Sequence, residues 1–222
     1  MKGYFHLHNA RGMKMKNKGF TLIELVVVIV ILGILAASAA PKYMSLKSDA
    51  RRATLAALAG SLKSANNMYH AKAVAQGLTS ATDTFNNAKQ VFLVINGVKY
   101  YLKYGYVDRN NVGYLIDGSS AIPPKAGNTA TPRSAGAYEC SKMKTECEYD
   151  WCDCFPGKGS GVLKEFQHNS GENLIQIFIP HGSVPANYQK DQCFVAYRQA
   201  HQLPKESGPI YPPKIKVFAD GC

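Results

Sequence analysis

The sequence predicts an α+β fold in which one long N-terminal helix packs on an antiparallel β-sheet. Three features of the 222 residues support this fold: an apolar block that starts at residue 20, an amphipathic continuation to about residue 77, and short β-rich runs beyond it. A sheet with one apolar face must bury that face, and the amphipathic part of the helix is the only large apolar partner that the sequence offers.

The apolar block, residues 20–40, reads FTLIELVVVIVILGILAASAA, and about 20 such residues allow a helix to cross a bilayer core. Its only charged residue is Glu24. Residues 1–19 carry basic residues and no acid, at Lys2, Arg11, Lys14, Lys16 and Lys18. By the positive-inside rule this leader stays cytoplasmic, and the chain after Pro41 lies outside.

Two ordinary interpretations of the same block remain open. A secretory signal has an apolar region of about 7 to 15 residues and a small-residue cleavage site, and residues 37–39, Ala-Ser-Ala, would serve as that site. A signal anchor that is never cleaved is the other alternative. The length of the block and the carboxylate inside it argue against a cleaved signal.

The junction between leader and block, KGFTLIE at residues 18–24, resembles the prepilin cleavage motif of type IV pilins and type II secretion pseudopilins. The resemblance implies that a membrane peptidase cuts between Gly19 and Phe20 and N-methylates the new terminus. Counted from Phe20, Glu24 is the fifth mature residue, the position at which the family keeps a glutamate. Pro41 is the twenty-second mature residue, at which many members of the family have a proline.

A charged side chain within a spanning helix costs about 2.5 to 3.5 kcal/mol at its centre, so Glu24 needs a partner. Cleavage supplies one, because the freed amine of Phe20 carries a positive charge in the same membrane layer. Pairing between neighbouring subunits would set their stagger, since any other register leaves a buried charge unpaired. The alternative is that Glu24 is simply tolerated near the membrane interface and has no partner.

Pro41 removes a backbone donor from the helix. It is either a simple kink or a point where the helix stretches during assembly.

The amphipathic half of the helix, residues 41–77, is expected to end near Gly77, a common stop residue. Apolar residues recur there at helical spacing, at Tyr43, Leu46, Ala50, Leu58, Leu62, Ala65, Tyr69 and Ala73. This half is expected to pack on the head, residues 78–222.

The head contains a strong hairpin signal, in which Asn96-Gly97 links two β-rich runs. Strands are predicted over residues 90–95, 98–103, 174–179, 192–197 and 214–218. The Gly-, Pro- and Ser-rich stretch 104–161 is predicted to be irregular surface structure that leaves room for one short strand.

All six cysteines follow the membrane segment, in what should be an oxidising compartment where disulfides are expected. They are Cys140, Cys147, Cys152, Cys154, Cys193 and Cys222. The resemblance to type IV pilins, which have a disulfide-bounded C-terminal loop, implies a bond between Cys193 and Cys222. The connectivity of the other four stays open, and a four-thiolate zinc site is a weaker alternative because the paired C-x2-C spacing is absent.

The sequence gives no sign of an enzyme. No nucleophile, metalloprotease or phosphate-loop motif is present, and the histidines share no ligand spacing, so no catalytic residue, metal or cofactor is expected.

The leader holds five of the net +11 charges, which leaves +6 for the rest of the chain. Without a run of Lys and Arg, specific nucleic-acid binding is not expected.

The resemblance is strongest over residues 18–52, and the continuation APKYMSLKSDARRATL is most similar to the mannose-sensitive haemagglutinin group of type IVa pilins. It implies a homo-oligomeric filament subunit for adhesion to surfaces or host cells, held in the bacterial inner membrane before assembly and extracellular afterwards. The implied partners are prepilin peptidase, an assembly ATPase and an inner-membrane platform; a surface or host glycan receptor is left open. The main alternative is a type II secretion pseudopilin, and an anchored surface enzyme is a third class.

Overall fold

A computed structural model describes residues 20–79, 91–119, 138–157, 160–162, 166, 174–203 and 207–222. The chain divides into two compact units, Met1–Leu46 and Lys47–Cys222. The first is described from residue 20 onwards, and the second contains every strand formed by the described residues.

Helix α1 covers Leu22–Ala75 and contains Pro41. It ends in a Schellman motif, because Gly77 adopts a φ of 68° and the Leu78 amide donates to the Ala73 carbonyl at 2.8 Å. Leu78 also packs against the core. The helix therefore ends where the sequence predicted.

A three-stranded antiparallel sheet follows, in the order β1 (Phe92–Ile95), β2 (Val98–Lys103) and β3 (Tyr106–Val107). The predicted hairpin is confirmed, since Asn96 and Gly97 link β1 and β2 with φ values of 50° and 76°. Two consecutive left-handed residues form the turn that matches the twist of a hairpin. A short helix, α2 (Arg109–Val112), comes next, with the Asp108 side chain capping its first turn.

The second sheet is four-stranded and antiparallel, in the order β4-β5-β6-β9. Its strands are β4 (Trp151–Cys154), β5 (Ile175–Pro180), β6 (Phe194–Arg198) and β9 (Lys214–Phe218). Helix α3 (Tyr188–Asp191) lies between β5 and β6, and a small hairpin of β7 (His201–Gln202) and β8 (Ile210–Tyr211) lies between β6 and β9.

The main core joins α1 to one face of both sheets, which confirms the helix-on-sheet prediction from Leu55 onwards. The prediction was wrong for the start of the apolar face, because Tyr43, Leu46 and Ala50 are exposed. From α1 the main core takes Leu55, Leu58, Leu62, Tyr69 and Ala73, and from the strands mainly Leu93, Tyr100, Leu102, Phe178, Val195 and Tyr197. The buried Tyr197 hydroxyl donates to the Val107 carbonyl at 2.7 Å and so ties β6 to β3.

A second core covers the other face of the four-stranded sheet, so the expectation of a single apolar partner was incomplete. Alternate residues of β6, Phe194 and Ala196, enter this second core, together with Ile175 and Ile177 of β5. Its cover consists of short non-periodic pieces: Cys140, Met143, Val162, Phe166 and Tyr188. No periodicity in the sequence marks such pieces, although together they bury a whole face.

Candidate functional site

The N-terminal end of α1 is the candidate functional site of the first unit. Of the residues predicted to act there, Phe20, Glu24 and Pro41 are described, while Gly19 lies outside the described residues. Phe20 is 94% exposed and precedes the helix, Glu24 lies in its first turn, and Pro41 lies within it.

Thr21 and Glu24 form a capping box at the start of α1. The Thr21 hydroxyl accepts a 3.3 Å hydrogen bond from the Glu24 amide, while Glu24 Oε2 accepts from the Thr21 amide at 2.8 Å and from its hydroxyl at 2.9 Å. These bonds satisfy backbone donors that a helix start otherwise leaves without partners. The negative charge also lies at the positive end of the helix dipole.

Sequence reasoning gave Glu24 a role and missed Thr21. The signal was present, because a threonine three residues before a glutamate at the head of an apolar run is the pattern of a capping box. Within residues 20–79, Glu24 Oε2 is the oxygen that caps the helix and Oε1 has no hydrogen-bond partner. The carboxylate therefore keeps one oxygen that can accept from an external donor.

The first half of α1 is apolar all round and exposed in the isolated chain. Large apolar side chains from Leu22 to Leu35 are each at least 42% exposed. Among the described residues α1 is the one helix that is long and apolar enough to cross a membrane. A continuous apolar surface of this kind requires lipid or protein to cover it.

The second unit contains three disulfides. Cys193 and Cys222 are bonded, with their Cα atoms 5.0 Å apart, which is the pairing that the resemblance implied. The bond fastens the end of the chain after β9 to the residue before β6. The Gly221 amide donates to the Gln192 carbonyl beside it.

The other four cysteines form two nested bonds, Cys140–Cys154 around Cys147–Cys152. Cys152 and Cys154 lie in β4, so both bonds attach the preceding loop to the edge of the four-stranded sheet. The thiols that could have held zinc are thus paired with one another. Within the described part of the chain, no group of three His, Cys, Asp or Glu side chains is arranged to hold a metal ion.

Residues 14–40 match a family model described as the prokaryotic N-terminal methylation motif. The match spans the basic residues just before Phe20 and the apolar half of α1. It includes Gly19, Phe20 and Glu24. No solved structure matches the chain.

Three curated relatives are named as components of pili or fimbriae. A type IV narrow pilus major component of Thermus thermophilus is 42% identical over 73 residues, which cover 33% of this chain and 61% of the relative. A fimbrial protein of Neisseria meningitidis is 39% identical over 39% of this chain and 55% of its own length. The chain thus spans less than two thirds of the length of these two relatives.

The third relative matches over a longer stretch. The fimbrial protein EcpC of Eikenella corrodens is 44% identical over 133 residues, which cover 60% of this chain and 74% of that protein. A match of this length must extend beyond Ala75, the last residue of α1, and so includes part of the head.

Proposed function

This chain belongs to the type IV pilin family, and from that membership we propose that it is a structural subunit of a type IV pilus. In this proposal residues 1–19 are a leader that prepilin peptidase removes between Gly19 and Phe20. The mature chain then enters an extracellular filament built from copies of itself. The proposed role is structural and not enzymatic.

One observation carries the proposal: the first half of α1 presents an uncovered apolar surface with a single carboxylate, Glu24, in its first turn. Lipid can cover this surface before assembly, and the helices of neighbouring copies can cover it afterwards. A surface of this kind on a soluble monomer would instead promote aggregation. The match to the methylation motif lies over the same residues.

The proposed assembly contact pairs Glu24 of one subunit with the free amine of Phe20 of its neighbour. The capping box supports this contact, because Oε2 faces Thr21 while Oε1 has no bond within residues 20–79. Glu24 can then cap its own helix and accept a hydrogen bond from an external amine at the same time.

Pro41 is proposed to let the helix adjust during assembly, since its ring removes one backbone hydrogen bond.

Before assembly the subunit lies in the inner membrane, with its head outside and prepilin peptidase, an assembly ATPase and a membrane platform as partners. In the filament it would serve adhesion to surfaces or host cells. The relatives are named as pilus or fimbrial components, which favours a pilus over the secretion pseudopilin. Membership of the mannose-sensitive haemagglutinin group stays a prediction.

The processing step is tested by comparing Gly19→Ala with Ala39→Leu in cells. We expect Gly19→Ala to accumulate the longer precursor on an immunoblot, while Ala39→Leu matures normally. Mass spectrometry of the mature chain should find an N-methylated Phe20 at its start. A mature chain that begins after Ala39, or a precursor that is never cut, would overturn the cleavage assignment.

A further inference from the structure

A run of basic residues follows the apolar half of α1. We call residues 42–52 the basic segment; it contains four cations, Lys42, Lys47, Arg51 and Arg52, and one acid, Asp49, so its net charge is +3. All five charged side chains are exposed. Within the part of the chain that the structure describes, the side chains of the four cations form no hydrogen bond, ion pair or ring contact. Their charge is therefore available to an external partner.

Apolar side chains of the same segment also lack cover. Tyr43 is 73% exposed and Leu46 is 65% exposed, because the main core takes residues of α1 only from Leu55 onwards. Tyr43 lies three residues beyond Ala40, the last residue of the apolar block. Tyrosines are enriched at this depth, where a spanning helix passes from the bilayer into water. The segment thus combines cations with an aromatic residue typical of a membrane interface.

The position of the segment along α1 brings its cations to a bilayer surface. With a rise of about 1.5 Å per residue, Lys42 and Lys47 lie about 3 and 10 Å beyond Ala40 along the helix. The headgroup layer on each side of the hydrocarbon core is about 5 to 7 Å thick. Lys42 therefore lies at the depth of this layer and Lys47 just beyond it. Arg51, about 16 Å beyond Ala40, lies about one Debye length from the layer.

The cations also point to different sides of the helix. At about 100° per residue, Lys47 and Arg52 are rotated by about 140° and 280° from Lys42. A protein partner on one face of the helix would reach only some of these charges. Lipid headgroups surround a helix that leaves a bilayer and can reach all of them.

We infer that the basic segment binds anionic phospholipid headgroups at the outer surface of the membrane that α1 crosses. The inference rests on the membrane-held stage of the proposed pilin and names the class of lipid that the subunit contacts there. Charge complementarity selects this class, because the segment has three more cations than acids. Each Lys or Arg near the surface of an anionic bilayer strengthens binding about fivefold.

The inference is tested with the mature chain, isolated from cells and reconstituted in phosphatidylcholine bilayers. Electron paramagnetic resonance of spin-labelled lipids measures the association of phosphatidylglycerol with the chain relative to that of phosphatidylcholine. We expect the wild type to prefer phosphatidylglycerol about fivefold or more at low salt, and Lys42→Gln/Lys47→Gln to prefer it about twofold or less. The matched control is Lys63→Gln/Lys72→Gln, which should keep the wild-type preference. Both control lysines are exposed on the same helix, about 34 and 48 Å beyond Ala40.

Salt supplies a second measurement that needs no variant. The preference of the wild type should disappear at 1 M salt, where the Debye length is about 3 Å. A preference that survives this salt would show that charge is not its cause, and would overturn the inference.

The other outcomes separate this inference from the proposed function. Equal association of the two lipids with the wild type, or the full preference in Lys42→Gln/Lys47→Gln, would overturn the lipid contact while pilus assembly stands. If that variant keeps the full preference and yields no filaments, the two lysines contact another copy of the chain instead of lipid. A wild-type strain without filaments would refute the pilus function and leave the lipid preference to be judged by its own measurement.

Discussion

Thr21 and Glu24 hold each other across the first turn of α1, each accepting a hydrogen bond from the backbone amide of the other. The pair gives the carboxylate a structural role in every subunit, whether or not a neighbour is present. A loss of function at Glu24 therefore has two possible causes, a frayed helix start or a missing charge. Separate substitutions distinguish the two.

Replacing Thr21 by Val removes the hydroxyl and keeps the shape of the side chain. The capping bonds from the hydroxyl are lost, and the first turn should be destabilised by about 1 kcal/mol. Hydrogen exchange at the Glu24 amide, measured by NMR in detergent micelles, should accelerate about fivefold as a result. Thr21→Ser keeps the bonds and should exchange like the wild type; equal rates in both variants would argue against the capping box.

Replacing Tyr197 by Phe removes the hydroxyl that donates to the Val107 carbonyl at 2.7 Å. The carbonyl then loses its partner in a buried position, and the free energy of unfolding should fall by about 1 to 2 kcal/mol. Denaturant unfolding of the detergent-solubilised chain measures the change. Tyr211→Phe is the control, because Tyr211 is exposed and should have little effect; equal stability of the two variants would show that the Tyr197 bond contributes nothing.

Alkaline pH should destabilise the head. Burial raises the pKa of Tyr114 to about 12, with a further contribution from Asp153, and burial also raises the pKa of Tyr197 well above its usual value of 10.0. In the unfolded chain both phenols lose a proton near pH 10, while the folded chain keeps them neutral. Stability is thus fully present below pH 10 and declines as the pH rises from about 10 towards 12. Unfolding curves between pH 8 and 12 check this; a flat profile would contradict it.

The disulfide between Cys193 and Cys222 closes a longer loop than the one between Cys147 and Cys152, with sequence separations of 29 and 5. The chain-entropy model predicts a loss of about 3.5 kcal/mol when the first is removed by double substitution to Ser and about 2 kcal/mol for the second. Denaturant unfolding compares the two variants. A larger loss from removing the inner bond would show that local packing outweighs loop entropy.

Short-range signals account for the parts of the fold that the sequence predicted. The Asn96-Gly97 turn and the helix end at Gly77 depend on residues that tolerate positive φ, and both elements form where those residues lie. The stretch 104–161 was allowed one short strand, but the position of β4, with the sequence WCDC, was missed because its pairing with β5 is non-local. The nested pairing of four cysteines likewise depends on the fold, since spacing alone allows several connectivities.

The same distinction holds for the candidate site. Glu24 stands out in the sequence because a carboxylate is costly in an apolar helix. Thr21 was overlooked although the sequence carries its signal, a threonine three residues before a glutamate at the head of an apolar run.

The most direct test of the pairing between Glu24 and Phe20 is the yield of sheared filaments from the variant Glu24→Gln. Glutamine still serves in a capping box but carries no charge, so the helix start is retained and only the partner of the Phe20 amine is lost. We predict normal maturation and at least about a tenfold fall in filament yield, because an unpaired buried charge is strongly unfavourable. Filaments at the wild-type level from Glu24→Gln would contradict the charge pairing and leave Glu24 only its role as a helix cap.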